Sequence, residues 1–319
     1  MNHLNRSANN CFVSEPLERL TDKRSDSGWL KHQLKKDDTR LLLLWRGKNL
    51  LQATNPPKPA LLTLSDIDAT KVNSDRFLLL GTQNGIVHYA LDLPAENDQI
   101  PEKFSSHGVF KDLRMVGALL DAGVGAILAY ARGLTYWHRH HRFCGLCGRP
   151  TKIAEAGHLM TCSDPDCGHK QFPRTDPAII TIIHDQKHCL LGRQAGWPKG
   201  IYATIAGFVE PGESLEAAVA REVKEETGVE VESVTYHSSQ PWPFPCSIML
   251  GFSAKARTTA ICSGDNELED ARWFSRPEII NGLEKGTLKL PSMISISYRL
   301  IEHWFDQGTH GHLAEHIAG

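Results

Sequence analysis

Long apolar runs are missing from this chain of 319 residues; the longest aliphatic stretch is Leu41–Leu44, followed by Trp45. A membrane-spanning helix needs about 20 consecutive apolar residues, so no such span is expected. Excess charge of one sign is missing too. The formal net charge is −2, so no general basic field draws in nucleic acid or acidic lipid, which argues against a dedicated nucleic-acid binder. The opening Met1-Asn2-His3-Leu4-Asn5-Arg6 lacks the apolar core of a secretory signal. The closing His316-Ile317-Ala318-Gly319 is not a Ser-Lys-Leu-type peroxisomal address. A cytoplasmic location, and with it a reducing environment, is the resulting expectation. Hydrophobic content of 41% and charged content of 23% are those of a soluble globular chain, and the length suggests about two domains of ~150 residues.

Four of the eight cysteines cluster. Cys144 and Cys147 form one knuckle, Cys162 and Cys167 a second, and fourteen residues separate the pairs. In a reducing compartment this spacing reads as a structural four-cysteine zinc site, with redox or unmetallated thiols as the alternative. Thiolates in a tetrahedron favour Zn²⁺ over Mg²⁺, and four protein ligands leave no position for a catalytic water. Cys11, Cys189, Cys246 and Cys262 are scattered and read as small buried hydrophobes.

Residues 1–35 are polar and expected to be partly loose. Leu41–Trp45 and Leu50-Leu51 flank Arg46-Gly47-Lys48-Asn49, and Arg76–Gly81 and Ile86–Leu91 flank Asn84-Gly85. Both patterns predict hairpins, and hence an α+β region rich in antiparallel sheet. Leu113, Val116, Leu120, Val124, Ile127, Ala131 and Leu134 recur at helical spacing, with Gly117, Gly123 and Gly125 as points where the helix splits. It ends in Tyr136-Trp137-His138-Arg139-His140-His141. Three histidines raise a metal reading, but a cationic helix end beside the zinc module is preferred. Strands are expected at Ala178–His184, Tyr202–Phe208, Val229–His237, Ile248–Ala256 and Ala271–Phe274, and helices at Pro277–Leu283 and Met293–Phe305. A further helix starts at a Ser214 cap, with Ala217, Ala218 and Val219 on or near its buried side, and stops at a left-handed Gly228.

The most informative stretch is Gly207 to Val229. It runs Gly207, five residues, Glu213, seven residues, then Arg221-Glu222-Val223-Lys224-Glu225-Glu226-Thr227-Gly228-Val229. A chance match to this many fixed residue types is on the order of one in a billion. Glu222, Glu225 and Glu226 stand at i, i+3 and i+4, so a helix puts three carboxylates on one face. Like charges there repel unless a cation sits between them, and a hard divalent ion with oxygen ligands, Mg²⁺ or Mn²⁺, suits them. The alternative is a solvated acidic face without metal. Arg221 is expected to brace the loop through Glu213 rather than touch substrate. Gly207 is expected to let the backbone pass close to the helix.

This pattern is the complete Nudix box, and the chain resembles Nudix hydrolases. Ser239-Gln240-Pro241-Trp242-Pro243-Phe244-Pro245-Cys246-Ser247, ten residues after the box, resembles the SQPWPFPxS segment of the NADH pyrophosphatase (NudC-like) branch. Its prolines hold Trp242 and Phe244 in place at little entropic cost, while Gln240 and Ser247 offer polar contacts to a base or ribose. A rigid core-facing loop is the alternative. The resemblance covers Leu113 to Phe305 and, more loosely, the region before it. It implies an α/β fold: a Nudix α/β/α sandwich with a mixed sheet, preceded by a four-cysteine zinc ribbon and an N-terminal α+β, degenerate Nudix-like domain. The implied organisation is a polar segment at 1–35, a Nudix-like domain at 36–112, a helical linker at 113–142, the ribbon at 143–175, the catalytic domain at 176–308 and a tail at 309–319.

The resemblance further implies metal-dependent hydrolysis of the NADH or NAD⁺ diphosphate to nicotinamide mononucleotide and AMP. Removal of NAD caps from RNA 5′ ends is a second activity of the branch. Glu222 and Glu226 would ligate Mg²⁺ or Mn²⁺, with the Ala206 carbonyl as a further ligand and Glu225 or a neighbour activating water. Glu267, in Asp265-Asn266-Glu267-Leu268-Glu269-Asp270, matches a distal acid of the branch; Glu269 and Asp270 compete for that role, and a solvated acidic loop is the alternative. Ala206, Gly207 and Phe208 match a segment lining the adenylate site, Phe172 stands where the branch usually has Tyr, Ser297 where it usually has Ala, and Arg114 matches a substrate-contacting Arg. A homodimer is implied as well. The competing class is a non-catalytic nucleotide- or nucleic-acid-binding sensor, which is disfavoured because every box acid is kept and the chain is near neutral.

Overall fold

The computed structural model describes residues 2–13, 17–67, 72–94, 104–262 and 267–317. The chain divides into two compact units, one of residues 1–11, 176–241 and 247–319, the other of residues 12–175 and 242–246. The first residues, expected to be partly loose, are helical in two places. α1 (His3–Ala8) is capped by Asn2 and belongs to the first unit, and α2 (Ser27–Leu34) is capped by Asp26. Both helices are too short to show clear periodicity, and their Asn and Asp caps are the legible signal.

In the unit of residues 12–175, β1 (Arg40–Trp45), β2 (Lys48–Gln52), β3 (Lys58–Pro59), β4 (Leu61–Leu62), β5 (Phe77–Gln83), β6 (Ile86–Asp92) and β7 (Val109–Lys111) form one sheet. Its order is β3-β2-β1-β6-β5, with β4 on β1 and β7 on β2. Both expected hairpins are present. Their tips, Arg46-Gly47 and Asn84-Gly85, have positive φ at both positions, the twist that two-residue hairpin turns require. The sheet is rich in antiparallel pairs as expected, and one pair is parallel: β1 with β6, Leu41 opposite Tyr89. Leu41, Leu43, Leu79, Tyr89 and Leu91 fill a core on one face of this sheet.

α3 (Leu113–Val116) stops at Gly117, a single 3₁₀ turn follows, and α4 (Ala122–His140) restarts from an Asp121 cap. The split therefore falls at Gly117, while Gly123 and Gly125 sit in the first turn of α4. The zinc ribbon follows as β8 (Thr151–Ala154), β9 (Leu159–Cys162) and β10 (Lys170–Gln171), in the order β10-β9-β8. Gly157, at φ +100°, packs onto Leu78 so closely that a Cβ would overlap it. His158 Nε2 lies 2.8 Å from the Leu79 carbonyl. These contacts make the ribbon and the preceding sheet one compact body.

The other unit is a six-stranded mixed sheet. Its strands are β11 (Asp176–His184), β12 (His188–Arg193), β13 (Ile205–Phe208), then, after helix α5 (Leu215–Thr227), β14 (Val231–Trp242), β15 (Ser247–Ala256) and β16 (Asp270–Ser275). The order is β14-β15-β11-β12-β16, with β13 on β11; β11 and β15 are parallel. Because side chains alternate along a strand, Ile179 and Ile183 face one core with Ala218, Val219 and Val223 of α5. Ile180 and Ile182 face the other, with α6 (Arg276–Glu284) and α7 (Ile296–Asp306). The result is a sheet between helices. Ala217 is exposed, correcting its expected buried position, and α7 begins at a Ser295 cap, later than Met293. Among the described residues, no helix is long and apolar enough to cross a membrane.

Candidate active site

α5 carries the box acids because its ends are well defined. The Ser214 hydroxyl accepts from the Ala217 amide at 3.2 Å, and Gly228 closes the helix at φ 72°. β13 runs against α5, and Gly207 is where the two touch. A Cβ at Gly207 would overlap the Glu222 carboxyl group, so this position admits no side chain while Glu222 stays in place.

Arg221 organises the loop. Its Nε donates to Glu213 Oε1 at 2.6 Å and its Nη2 to Glu213 Oε2 at 3.1 Å, a two-point pair. Nη2 also donates to the Phe208 carbonyl at 3.0 Å, and Nη1 reaches Glu222 at 3.0 Å and Glu225 at 2.9 Å. The Glu210 amide donates to Glu213 at 3.0 Å. The guanidinium, helped by that amide, holds the Glu213 carboxyl below its ordinary pKa. Burial pushes the Glu222 carboxyl up, Arg221 opposes this, and the negative charges of Glu225 and Glu267 push it further up. Glu267 thus acts electrostatically on Glu222 across a gap of 45 residues in the sequence. Glu226, one turn on, is only 5% exposed.

A divalent ion fits this donor set. The donors are all oxygen, three carboxylates come from one helix, and Glu222 is held among like charges that a cation would relieve. Glu269 and Asp270 are placed otherwise: Glu269 pairs with Arg193 at 2.5 Å, and Asp270 accepts from the Tyr202 hydroxyl. Asp265 and Asn266 lie outside the described residues.

The proline-rich segment is not a free loop. β14 continues through Ser239, Gln240 and Pro241 to Trp242, and a turn over 243–246 leads into β15. Gln240 is a correction. Its side chain is fully buried, its Nε2 donates to the Cys11 and Ile294 carbonyls at 3.0 and 2.7 Å, and its Oε1 accepts from the Ile296 amide at 2.8 Å. Both ends of the amide are used inside the fold, so Gln240 positions backbone rather than presenting itself to a base. Ser247 is buried as well. Ser297 is buried, with its Oγ 3.1 Å from the Thr204 amide and 2.7 Å from the Thr204 hydroxyl, so the added hydroxyl braces the chain two residues before Ala206.

The rest of the segment, residues 242–246, groups with the other unit. There Trp242 and Phe244 meet edge to face at 5.0 Å, and Pro243 is buried. The Arg114 guanidinium lies 4.8 Å from the Phe244 ring and 5.7 Å from Trp242. Arg132 is a residue that sequence reasoning missed. It stacks on Phe244 at 4.9 Å, donates from Nε to the Pro243 carbonyl at 2.9 Å, and bonds the Gly47 carbonyl. Its signal is a charge within the apolar run of α4, beside buried Ala131 and near Leu134. Phe172 and Phe208 are each about three-fifths exposed, at 63% and 60%, which leaves their rings open to stack on a ligand. Ala206 is exposed and Cys246 half-buried.

The four knuckle cysteines converge, with all Sγ atoms within 4.8 Å of one another. The Cys144–Cys167 and Cys147–Cys162 separations are 3.8 and 3.4 Å. A tetrahedron with Zn–S bonds of about 2.3 Å has edges of about 3.8 Å, so the quartet fits Zn²⁺. Among the described residues this is the only group of three or more such side chains whose ligand atoms converge this closely; the box carboxylates suit a divalent ion by the chemistry of their donors, not as an already closed cage. The three histidines at the end of α4 are spent on backbone carbonyls instead: His138 on Gly157, His140 on Tyr136 and His141 on Trp137, at 2.7, 2.8 and 2.9 Å. Of the scattered cysteines Cys189 is buried as expected, but Cys262 is exposed.

A sheet between helices, with an intact carboxylate helix docked on a glycine strand, defines a Nudix hydrolase. Residues 174–294 match the NUDIX domain, 38–137 the NADH pyrophosphatase-like rudimentary NUDIX domain, and 139–172 the NADH pyrophosphatase zinc ribbon domain. The chain belongs to the NADH pyrophosphatase family of Nudix hydrolases. It is 35% identical over 343 residues to the NAD-capped RNA hydrolase of Schizosaccharomyces pombe, covering 91% of each chain. It is 33% identical over 338 residues to human NAD-capped RNA hydrolase NUDT12, covering 92% of this chain and 73% of that protein. Against the Macaca fascicularis protein of the same name, identity is 45% over 195 residues, which is 58% of this chain and 42% of the relative.

Proposed function

We propose that this chain hydrolyses the diphosphate of a nicotinamide dinucleotide, free or as the 5′ cap of an RNA. Water adds across one P–O–P linkage. NADH would give reduced nicotinamide mononucleotide and AMP, and a capped RNA would give nicotinamide mononucleotide and an RNA with a 5′ monophosphate. The observation that carries this reading is the fit of Gly207 against Glu222, with Arg221 tying Glu213, Glu222 and Glu225 into one acidic face. Glu222, Glu225, Glu226, Glu267 and the Ala206 carbonyl would hold Mg²⁺ or Mn²⁺. Such an ion, when bound, would neutralise diphosphate charge and make water a better nucleophile. Arg221 holds the glutamates in place and keeps the loop closed on the helix. The cysteine quartet, with all four positions filled by protein, supports a structural role for Zn²⁺.

The test is product analysis. The zinc-loaded protein is incubated with NADH and Mg²⁺ or Mn²⁺, and products are resolved by chromatography. Equimolar AMP and reduced nicotinamide mononucleotide are expected. No turnover of either NADH or an NAD-capped RNA oligonucleotide, with both metals, would overturn the reading.

A further inference from the structure

The edge strand β14 carries the proline-rich segment, and among the described residues no strand lies beside its outer backbone groups. Such groups need partners or the strand frays. Residues 6–11 supply partners to three of them, on His237 and Ser239. Arg6 Nε donates to the His237 carbonyl at 3.0 Å. The Ser239 amide donates to Ser7 Oγ at 3.1 Å. Asn10 Nδ2 donates to Ser238 Oγ at 3.2 Å and to the Ser239 carbonyl at 2.9 Å. The Cys11 carbonyl then accepts from Gln240. The bonded backbone groups of His237 and Ser239 stand two residues apart, the spacing at which a strand presents groups to the same edge. Asn10 is 3% exposed and Gln240 fully buried, so these bonds are shielded from water.

Gln240 extends the arrangement. Through Ile294 and Ile296 it joins the same four strand residues to the start of α7, where Ser297 braces Thr204. A polar segment of about ten residues is thereby ordered along the strand immediately before Trp242. Ordering it has a conformational cost that apolar burial does not offset, since no residue of α1 is buried and Leu4 is exposed.

We propose that Arg6–Cys11 is a positioning strap for the proline-rich segment, whose resemblance to the NADH pyrophosphatase branch implies contact with substrate, with Asn10 its central positioning residue; this rests on the hydrolase reading above. The strap holds Ser238–Gln240 in one conformation, and with them the backbone from which the proline-rich segment continues, so that binding does not have to order that segment.

The test uses the full chain and two variants, Asn10→Asp, which keeps the shape and removes both donors, and Ser7→Ala, a milder change that guards against misfolding. Hydrogen exchange followed by mass spectrometry, without substrate, is expected to show peptides over 237–241 exchanging about tenfold faster, with α5 unchanged. For NADH hydrolysis, KM is expected to rise about tenfold in Asn10→Asp with kcat within about twofold of the parent, since uniform binding is lost. Faster exchange with unchanged KM would reduce the strap to a stabilising element and overturn the proposal, as would unchanged exchange. A wild type that turns over no dinucleotide is compared instead by titrating NADH fluorescence without metal. If the wild type binds NADH, a tenfold weaker affinity in Asn10→Asp sustains the strap while the hydrolase reading falls. If it binds none, both fall.

Discussion

Gly207 and Glu222 sit fifteen residues apart in the sequence and in contact in the fold. The glycine needs no unusual backbone angle; what it needs is room, because any Cβ would strike the carboxylate. Gly207→Ala is therefore expected to displace Glu222 and lower kcat by tenfold or more, with the circular dichroism spectrum unchanged. Wild-type turnover in the variant would show that Glu222 does not have to stay where it is. Glu226→Gln keeps shape and burial but removes a charge, and kcat is expected to fall by at least ~10²-fold because, on the proposed assignment, a metal ligand is lost. An unchanged rate in Mg²⁺ would sink that assignment. The box acids were legible as residues because i, i+3 and i+4 spacing maps directly onto one helical face. Gln240 was not. Its partners, Cys11 and Ile294, lie 229 and 54 residues away, so no local pattern announces that its amide is spent inside the fold.

Elements with strong end signals were read well. α5 begins at its serine cap and ends at its left-handed glycine, and the second hairpin turns at the expected Asn84-Gly85, whereas the first turns at Arg46-Gly47, with Lys48 and Asn49 of the expected four-residue connection already in β2. The element boundaries that moved did so for local reasons. α4 starts afresh because Asp121 caps it, and α7 starts late because Ser295 caps it at Ile296. The zinc ribbon is an element of three short strands beside four converging cysteines, so a bound Zn²⁺ is expected to add to its stability. Cys144→Ser is expected to release Zn²⁺ and lower the melting temperature, while the hydrolysis rate per folded molecule changes far less. Elemental analysis of the parent showing no zinc would remove this argument, and a variant as stable as the parent would contradict it.

At the scale of the molecule, each unit carries a buried neutral histidine. Burial depresses the His158 imidazole to about 4, and the nearby charges of Arg24, Arg19 and His138 add to this against the Leu79 carbonyl. Burial depresses His237 to about 3, aided by His303 and Arg6. Above pH ~6.5 both are neutral whether the chain is folded or not, and the stability from keeping them neutral is fully present. As pH falls, the unfolded chain takes up protons first, so stability is lost from about pH 6.5 down through the folded values. For His158 the loss amounts to at most about 3 kcal/mol. Denaturant unfolding at a series of pH values should show that slope, and His158→Gln should flatten part of it; an equal slope in the variant would contradict this. The sequence by itself determined the family, the fold class, the acidic helix and the cysteine quartet, because each rests on short-range spacing or on a motif contiguous in the chain. Only the tertiary structure decided which polar groups are already committed: Gln240 to Cys11 and Ile294, Arg132 to Pro243, Asn10 to Ser238 and Ser239, and three histidines to backbone carbonyls. A buried polar group takes whatever partner folding brings to it, and that partner is set by contacts between residues far apart in the chain.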